Sequence, residues 1–157
     1  MNIRRAELKD MERVIELLSE VLEIHVRIRP DIFRSGTTKY SKEQFMKMIK
    51  DDNNPIYVAT NDNDDVLGYM FCEILEPKFS STMKPNKTLY IDDLCVDEKY
   101  RHQGIGQVLF EFAKKEAKRL GCYEVALYLW EGNDTAKKFY EKMGMKVKAT
   151  TMEYIVK

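Results

Sequence analysis

The sequence predicts an α/β domain built on a mixed sheet, and three observations carry that expectation. Runs of strand-forming residues alternate with runs whose apolar residues recur at helical spacing. No repeat, low-complexity tract or composition break divides the 157 residues, so one domain over 1–157 without a linker is expected. A hydrophobic content of 44% suffices for a sizeable core in a chain of this size.

Residues 2–6 read as a short strand. Asp10 then precedes Met11, Val14, Ile15, Leu18, Val21 and Leu22, the spacing of one helical face, so a first helix runs from about Asp10 to the mid-twenties. Pro30 stops it, and the RPDIFRSG stretch reads as an irregular connection. Ser41 to Gln44 match a capping box that opens a second helix carrying Phe45, Met48 and Ile49 inward. Pro55 follows, and the β-rich runs Ile56–Thr60 and Val66–Leu75 flank the polar stretch Asn61–Asp65, which reads as a hairpin. Pro77–Lys87 is polar, contains two prolines and is the longest candidate for a loop.

A strand at Thr88–Val96, a glycine-punctuated turn and a long helix come next. The helix stripe is Ile105, Val108, Leu109, Phe112, Ala113, Ala117 and Leu120, and Gly121 is placed to end it in the left-handed conformation. Tyr123–Trp130 is an apolar run of strand length, with Tyr128 and Trp130 read as core. Asp134–Met143 is a short helix closed by Gly144, and Met145–Lys157 reads as a final strand region.

Lys and Arg total 26 and so do Asp and Glu, so no net field steers the molecule toward nucleic acid or an anionic membrane. The opening MNIRRAELKDMER has no signal-peptide run, and nothing approaches the roughly 20 apolar residues of a membrane span, so a cytoplasmic protein is expected. Cys72, Cys95 and Cys122 are odd in number and lie in or beside apolar runs, which suits reduced packing residues, Cys95 being the one that can also line a site. His25 and His102 have no Cys or His partner at metal-ligand spacing, so no metal is expected; His25 reads as a solvated histidine and His102 as part of the turn.

That turn, Val96 to Gln107, joins a strand to a helix through closely spaced glycines. Free N–H groups at a first helical turn, together with the helix dipole, favour an anion. The competing reading is that Gly104 and Gly106 only permit close helix–strand packing. It is not a P-loop, because no G-K-[ST] follows, and Leu109 stands where a dinucleotide fingerprint needs its third glycine.

The pattern is R-x-x-G-x-G, written as Arg101, His102, Gln103, Gly104, Ile105, Gly106. A second segment runs from Asn133 through Ala136, Phe139 and Tyr140 to Gly144 and Met145. In both the chain resembles the GCN5-related N-acetyltransferase (GNAT) family, along nearly its whole length. The resemblance implies a GNAT-like fold: a mixed, twisted sheet with helices on both faces, splayed between the Thr88–Val96 and Tyr123–Trp130 strands to admit acetyl-CoA.

It further implies that Leu94, Cys95 and Val96 pair with the pantetheine arm. Arg101, His102, Gln103, Gly104, Ile105, Gly106 and Gln107 would hold the pyrophosphate, and Asn133 and Ala136 would lie along the pantetheine chain. Asn133 also reads as a helix cap. Tyr140 resembles the tyrosine that protonates the departing thiolate; a phenol with pKa near 10 stays protonated at neutral pH. A Phe-Tyr pair on an amphipathic helix is otherwise core.

An amine acceptor with pKa near 10.4 must lose a proton before it attacks. Asp92 and Asp93 lie mid-strand, where alternation would send them to opposite faces. Asp92, at the first position of the acidic pair of polyamine acetyltransferases, is the candidate for the proton path, directly or through water; the alternative is a structural carboxylate. The expected reaction is direct attack of a primary amine, a small molecule or polyamine, on acetyl-CoA in a ternary complex. A protein N-terminus or lysine as acceptor, and a non-catalytic acetyl-CoA-binding domain, are the alternatives. A homodimer through the Met145–Lys157 region is also expected.

Overall fold

A computed structural model describes residues 1–157. Strands β1 (Asn2–Arg5), β2 (Ile56–Thr60), β3 (Val66–Leu75), β4 (Thr88–Val96) and β5 (Glu124–Leu127) form one sheet in that order. The first three pairings are antiparallel and β4 with β5 is parallel, so the sheet is mixed. Parallel neighbours need a crossover, and α3 (Ile105–Arg119) supplies it.

Helices α1 (Met11–Ile28) and α2 (Lys42–Met48) cover one face, where Val14, Leu17, Leu18 and Phe45 pack with Ile56, Val58, Tyr69 and Phe71. On the other face Ile105, Leu109, Phe110, Ala113 and Ala117 of α3 pack with Tyr57, Ala59, Met70 and Ile91, joined by Phe139 and Tyr140 of α4 (Asp134–Lys142). Strand β2 is buried along its whole length because both faces are covered, and it is apolar up to the buried Thr60 at its end.

Local chemistry sets the boundaries. The Ser41 capping box forms in both directions, with Gln44 N donating to Ser41 Oγ at 3.1 Å. Gly121 ends α3 at φ 70°, and Asp64 turns the β2–β3 hairpin at φ 65°. Asp10, buried before α1, receives a bidentate ion pair from Arg4 at 2.8 and 2.9 Å, which satisfies its charge.

Three expectations need correction. Residues 145–157 form no strand: Val147, Met152, Tyr154 and Val156 are exposed, and the segment is tied down by ion pairs of Lys148 with Glu124 and Glu153 with Arg29. Apolar alternation shows compatibility with a strand, but a strand also needs an edge to pair with. The run Tyr123–Trp130 is strand only over Glu124–Leu127, and Tyr128 and Trp130 lie exposed in the connection to α4 rather than in the core. In α3, Val108 is 40% exposed, while Phe110 is buried in its place.

Candidate active site

Strand β4 pairs with β5 only over Thr88–Ile91, opposite Glu124–Leu127. Beyond Ile91 the two strands part, and the β4 stretch Asp92–Val96 has no strand on that side. The splay leaves backbone groups around Leu94, Cys95 and Val96 open to an extended ligand. Arg101 folds back across its lower end, Nε donating to the Val96 carbonyl at 3.2 Å.

The turn after β4 is built from Asp97 outward. Asp97 is buried, ion-pairs with Arg13 of α1 and accepts from Lys99 N at 3.0 Å, so it fixes where the chain leaves the sheet. His102 (φ 62°) and Gly104 (φ 80°) then adopt left-handed conformations. The amides of His102 through Gln107 donate to no other backbone group. Successive free N–H groups with alternating handedness make a concave anion site at a helix start. The residues present therefore suit a pyrophosphate.

The glycines divide the two roles weighed above. A Cβ on Gly104 would meet nothing within 4 Å, so its side faces open space where a ligand can approach. A Cβ on Gly106 would lie 3.3 Å from the Phe139 ring and 3.8 Å from Val96 Cγ2, so Gly106 serves the packing of α4 on α3.

Helix α4 starts at Asn133, whose side chain accepts from Ala136 N at 3.3 Å, so the capping role is formed. One turn on, Phe139 and Tyr140 face the sheet, with Tyr140 edge-on to Phe110 at 6.2 Å. Burial, helped by the negative charge of Asp93, raises the Tyr140 phenol well above its usual value, so it stays protonated.

The acid pair is arranged differently from the expectation that its members face opposite sides. The β3–β4 register places Phe71 opposite Asp93 but Cys72 opposite Ile91, so Asp92 is the extra residue of a β-bulge. The bulge shifts the alternation by one. Leu89 and Ile91 point to the α3 side, whereas Cys95 points to the α1 side, and both aspartates meet tyrosines of that side.

Asp92 is held by the connection between α1 and α2. Tyr40, stacked on Phe71 at 5.2 Å, donates its hydroxyl to Asp92 Oδ2, and Lys39 Nζ lies 3.0 Å from Oδ1. Asp93 receives the Tyr69 hydroxyl at 3.3 Å. Burial pushes the Asp93 carboxyl up to about 6, with the Lys39 ammonium opposing and the Asp92 carboxylate adding to the rise.

Around this pair, His25 stacks on Phe33 at 5.2 Å, and Phe33 meets Trp130 edge-on at 5.2 Å. His25 is thus half-enclosed rather than free in solvent, and burial with the nearby Lys39 lowers its pKa. Burial raises the Cys95 thiol to about 12, which suits packing and not nucleophilic attack. Lys39, Tyr40, Tyr69, Arg13 and Asp97 were not among the residues singled out from sequence. Asp97, a carboxylate directly after an apolar strand and before the turn, carried a signal; Lys39 and Tyr40 carried none, because they reach Asp92 from far along the chain.

No group of His, Cys, Asp and Glu side chains lies close enough together to hold a metal ion. No helix is long and apolar enough to cross a membrane.

The chain matches the acetyltransferase (GNAT) family over residues 18–145, a span that holds the turn, the acid pair, Asn133 and Tyr140. Glucosamine 6-phosphate N-acetyltransferase of Arabidopsis thaliana is 27% identical, covering 96% of this chain and 93% of that protein. Spermidine N(1)-acetyltransferase of Thermoplasma acidophilum is 24% identical over 96% of this chain and 91% of its own length. Among solved structures, a mutant of the BH1408 protein of Bacillus halodurans superposes with a TM-score of 0.93 at 33% identity, covering 99% of each chain. The chain therefore belongs to the GNAT family and is an acyltransferase, of a family that uses acetyl-CoA as its donor.

Proposed function

We propose that residues 1–157 act as one transferase domain that moves the acetyl group of acetyl-CoA to a primary amine of a small molecule or polyamine, by direct attack in a ternary complex. The observation that carries this reading is the parting of β4 from β5 at Ile91. It exposes the backbone of Leu94–Val96 next to the anion-binding turn, with an acidic pair immediately before it. The arm of the donor lies along that edge, the amides of His102–Gln107 and the Arg101 guanidinium hold its pyrophosphate, and Asn133 and Ala136 border the same channel.

The acid pair divides the work on the acceptor. Asp92, which binds the Lys39 ammonium and the Tyr40 hydroxyl, supplies the negative charge that draws an ammonium to the pair, and Asp93, with its carboxyl near 6, accepts the proton as nitrogen attacks. This moves the proton step one residue from the position the sequence favoured. Tyr140, kept protonated, donates to the leaving sulfur. Spermidine and glucosamine 6-phosphate, the acceptors named for two relatives, are both amines, and a carboxylate pair favours the cationic one. A cytoplasmic location and a homodimer belong to the same reading; with 145–157 free of strand structure, the dimer rests on its exposed apolar side chains alone.

The test is an amine panel followed by release of free CoA thiol. Polyamines and amino sugars should be acetylated, with mass spectrometry placing one acetyl group on nitrogen. Thiol release that is independent of any amine, or transfer confined to protein N-termini, would reject the reading.

A further inference from the structure

The acidic pair already holds an amine. Lys39, in the segment joining α1 to α2, sets its Nζ 3.0 Å from Asp92 Oδ1 and 3.1 Å from the Asp92 carbonyl. The side chain is 43% exposed, so the ammonium is reachable from solvent. The Tyr40 ring lies 5.8 Å from it, and the Tyr40 hydroxyl closes the other oxygen of the same carboxylate. The Lys39 ammonium also opposes the rise of the neighbouring Asp93 carboxyl, and the Asp93 charge in turn adds to the rise of the Tyr140 phenol, so the lysine and the proton donor both feel the same carboxylate. Lys42 and Lys148 pair with Glu12 and Glu124 instead.

We propose that Lys39 is itself an acetyl acceptor: with acetyl-CoA bound and no free amine competing, the chain acetylates its own Lys39 Nζ. The proposal rests on the reading that this cleft transfers acetyl to amines. The lysine ammonium gives one proton to the acid pair, and its lone pair forms a bond to the thioester carbonyl carbon. The carbon–sulfur bond breaks, and the sulfur leaves with a proton donated by Tyr140. The second nitrogen proton passes to solvent and the proton held by the acid pair restores the Tyr140 hydroxyl, so the products are acetyl-lysine, CoA thiol and one proton. A tethered nucleophile has a high effective concentration, which compensates for a geometry not selected for turnover. Acetylation removes the positive charge and breaks the ion pair, leaving the Asp92 carboxylate free for an external amine.

The experiment uses the full chain, isotopically labelled acetyl-CoA and no added amine, with peptide mapping by mass spectrometry. Label should accumulate at Lys39 about tenfold faster than at exposed lysines such as Lys84 and Lys157. Its half-time should not change when protein concentration is varied over about a hundredfold, since the step is intramolecular. Added spermidine should protect Lys39, Lys39→Arg should remove that label, and Tyr140→Phe should slow it without changing the background lysines. Equal labelling of all exposed lysines, or a rate proportional to protein concentration, would overturn the proposal. Transfer to free amines with Lys39 unlabelled overturns it alone, whereas no transfer to Lys39 or to any amine overturns the proposed function as well.

Discussion

Lys39 and Tyr40 occupy both oxygens of Asp92, whereas burial pushes the Asp93 carboxyl up to about 6 despite the hydrogen bond it accepts from the Tyr69 hydroxyl. If Asp93 takes the amine proton, kcat falls as pH drops through about 6, because the base must be ionised to act. Asp93→Asn should remove that limb and lower kcat by about 10²–10⁴-fold, while Asp92→Asn should chiefly raise KM for the amine. A pH–rate profile unchanged in Asp93→Asn would return the proton step to Asp92 or to water. Tyr140→Phe should likewise cost about 10²–10⁴ in kcat with acetyl-CoA affinity by calorimetry nearly unchanged, since the donor acts only as the sulfur leaves. The sequence made the chemical types at 92, 93 and 140 visible, because paired acids mid-strand and a motif tyrosine stand out. It did not reveal which acid is buried. Period-2 alternation assumes an unbroken ladder, and the bulge at Asp92 is a property of two strands together.

Strands β3 and β4 approach each other so closely at Gly68 that a Cβ there would lie 2.6 Å from the Cys95 carbonyl oxygen and 3.3 Å from Val96 Cα. Both atoms are backbone and cannot swing aside. Gly68→Ala should therefore push β3 from β4, costing about 1–3 kcal/mol in urea denaturation and weakening acetyl-CoA binding through the displaced Leu94–Val96 edge. Wild-type stability and affinity in that variant would mean that the strands separate without cost. Gly104→Val acts differently. With nothing within 4 Å, it strains a φ of 80° and places side-chain bulk where the pyrophosphate approaches, so calorimetry should show a large loss of acetyl-CoA affinity. Elements set by local chemistry were legible in the sequence: the Ser41 box, the Gly121 stop, the hairpin at Asn61–Asp65 and the extent of β4. The end of β5 and the state of 145–157 depend on which edges find partners, and that information is spread over the chain.

For the molecule as a whole, the enclosed carboxyl that suits proton transfer is a load on stability. The native state holds the Asp93 proton more tightly than the unfolded chain, where the group returns to its ordinary value of 3.8. Its contribution is therefore fully present below about pH 4 and is lost as pH rises through about 6, after which the native state carries a buried negative charge. The gap between the two values corresponds to about 1–3 kcal/mol, the lower end reflecting the solvent that still reaches the residue and the nearby Lys39 ammonium. Asparagine has the shape of the protonated acid without the ability to ionise. Asp93→Asn should thus approach the wild-type unfolding free energy near pH 3.5 and exceed it by about 1–3 kcal/mol near pH 7.5, while losing activity. Groups shifted the other way, such as Asp64 at about 2 between Lys9 and Arg4, are common to both proteins and cancel in the difference. The measurement is urea denaturation of both proteins at the two pH values. A variant that is equally stable at both, or less stable at pH 7.5, would show that Asp93 is ionised at little cost and would remove the physical basis for a base with a carboxyl near 6.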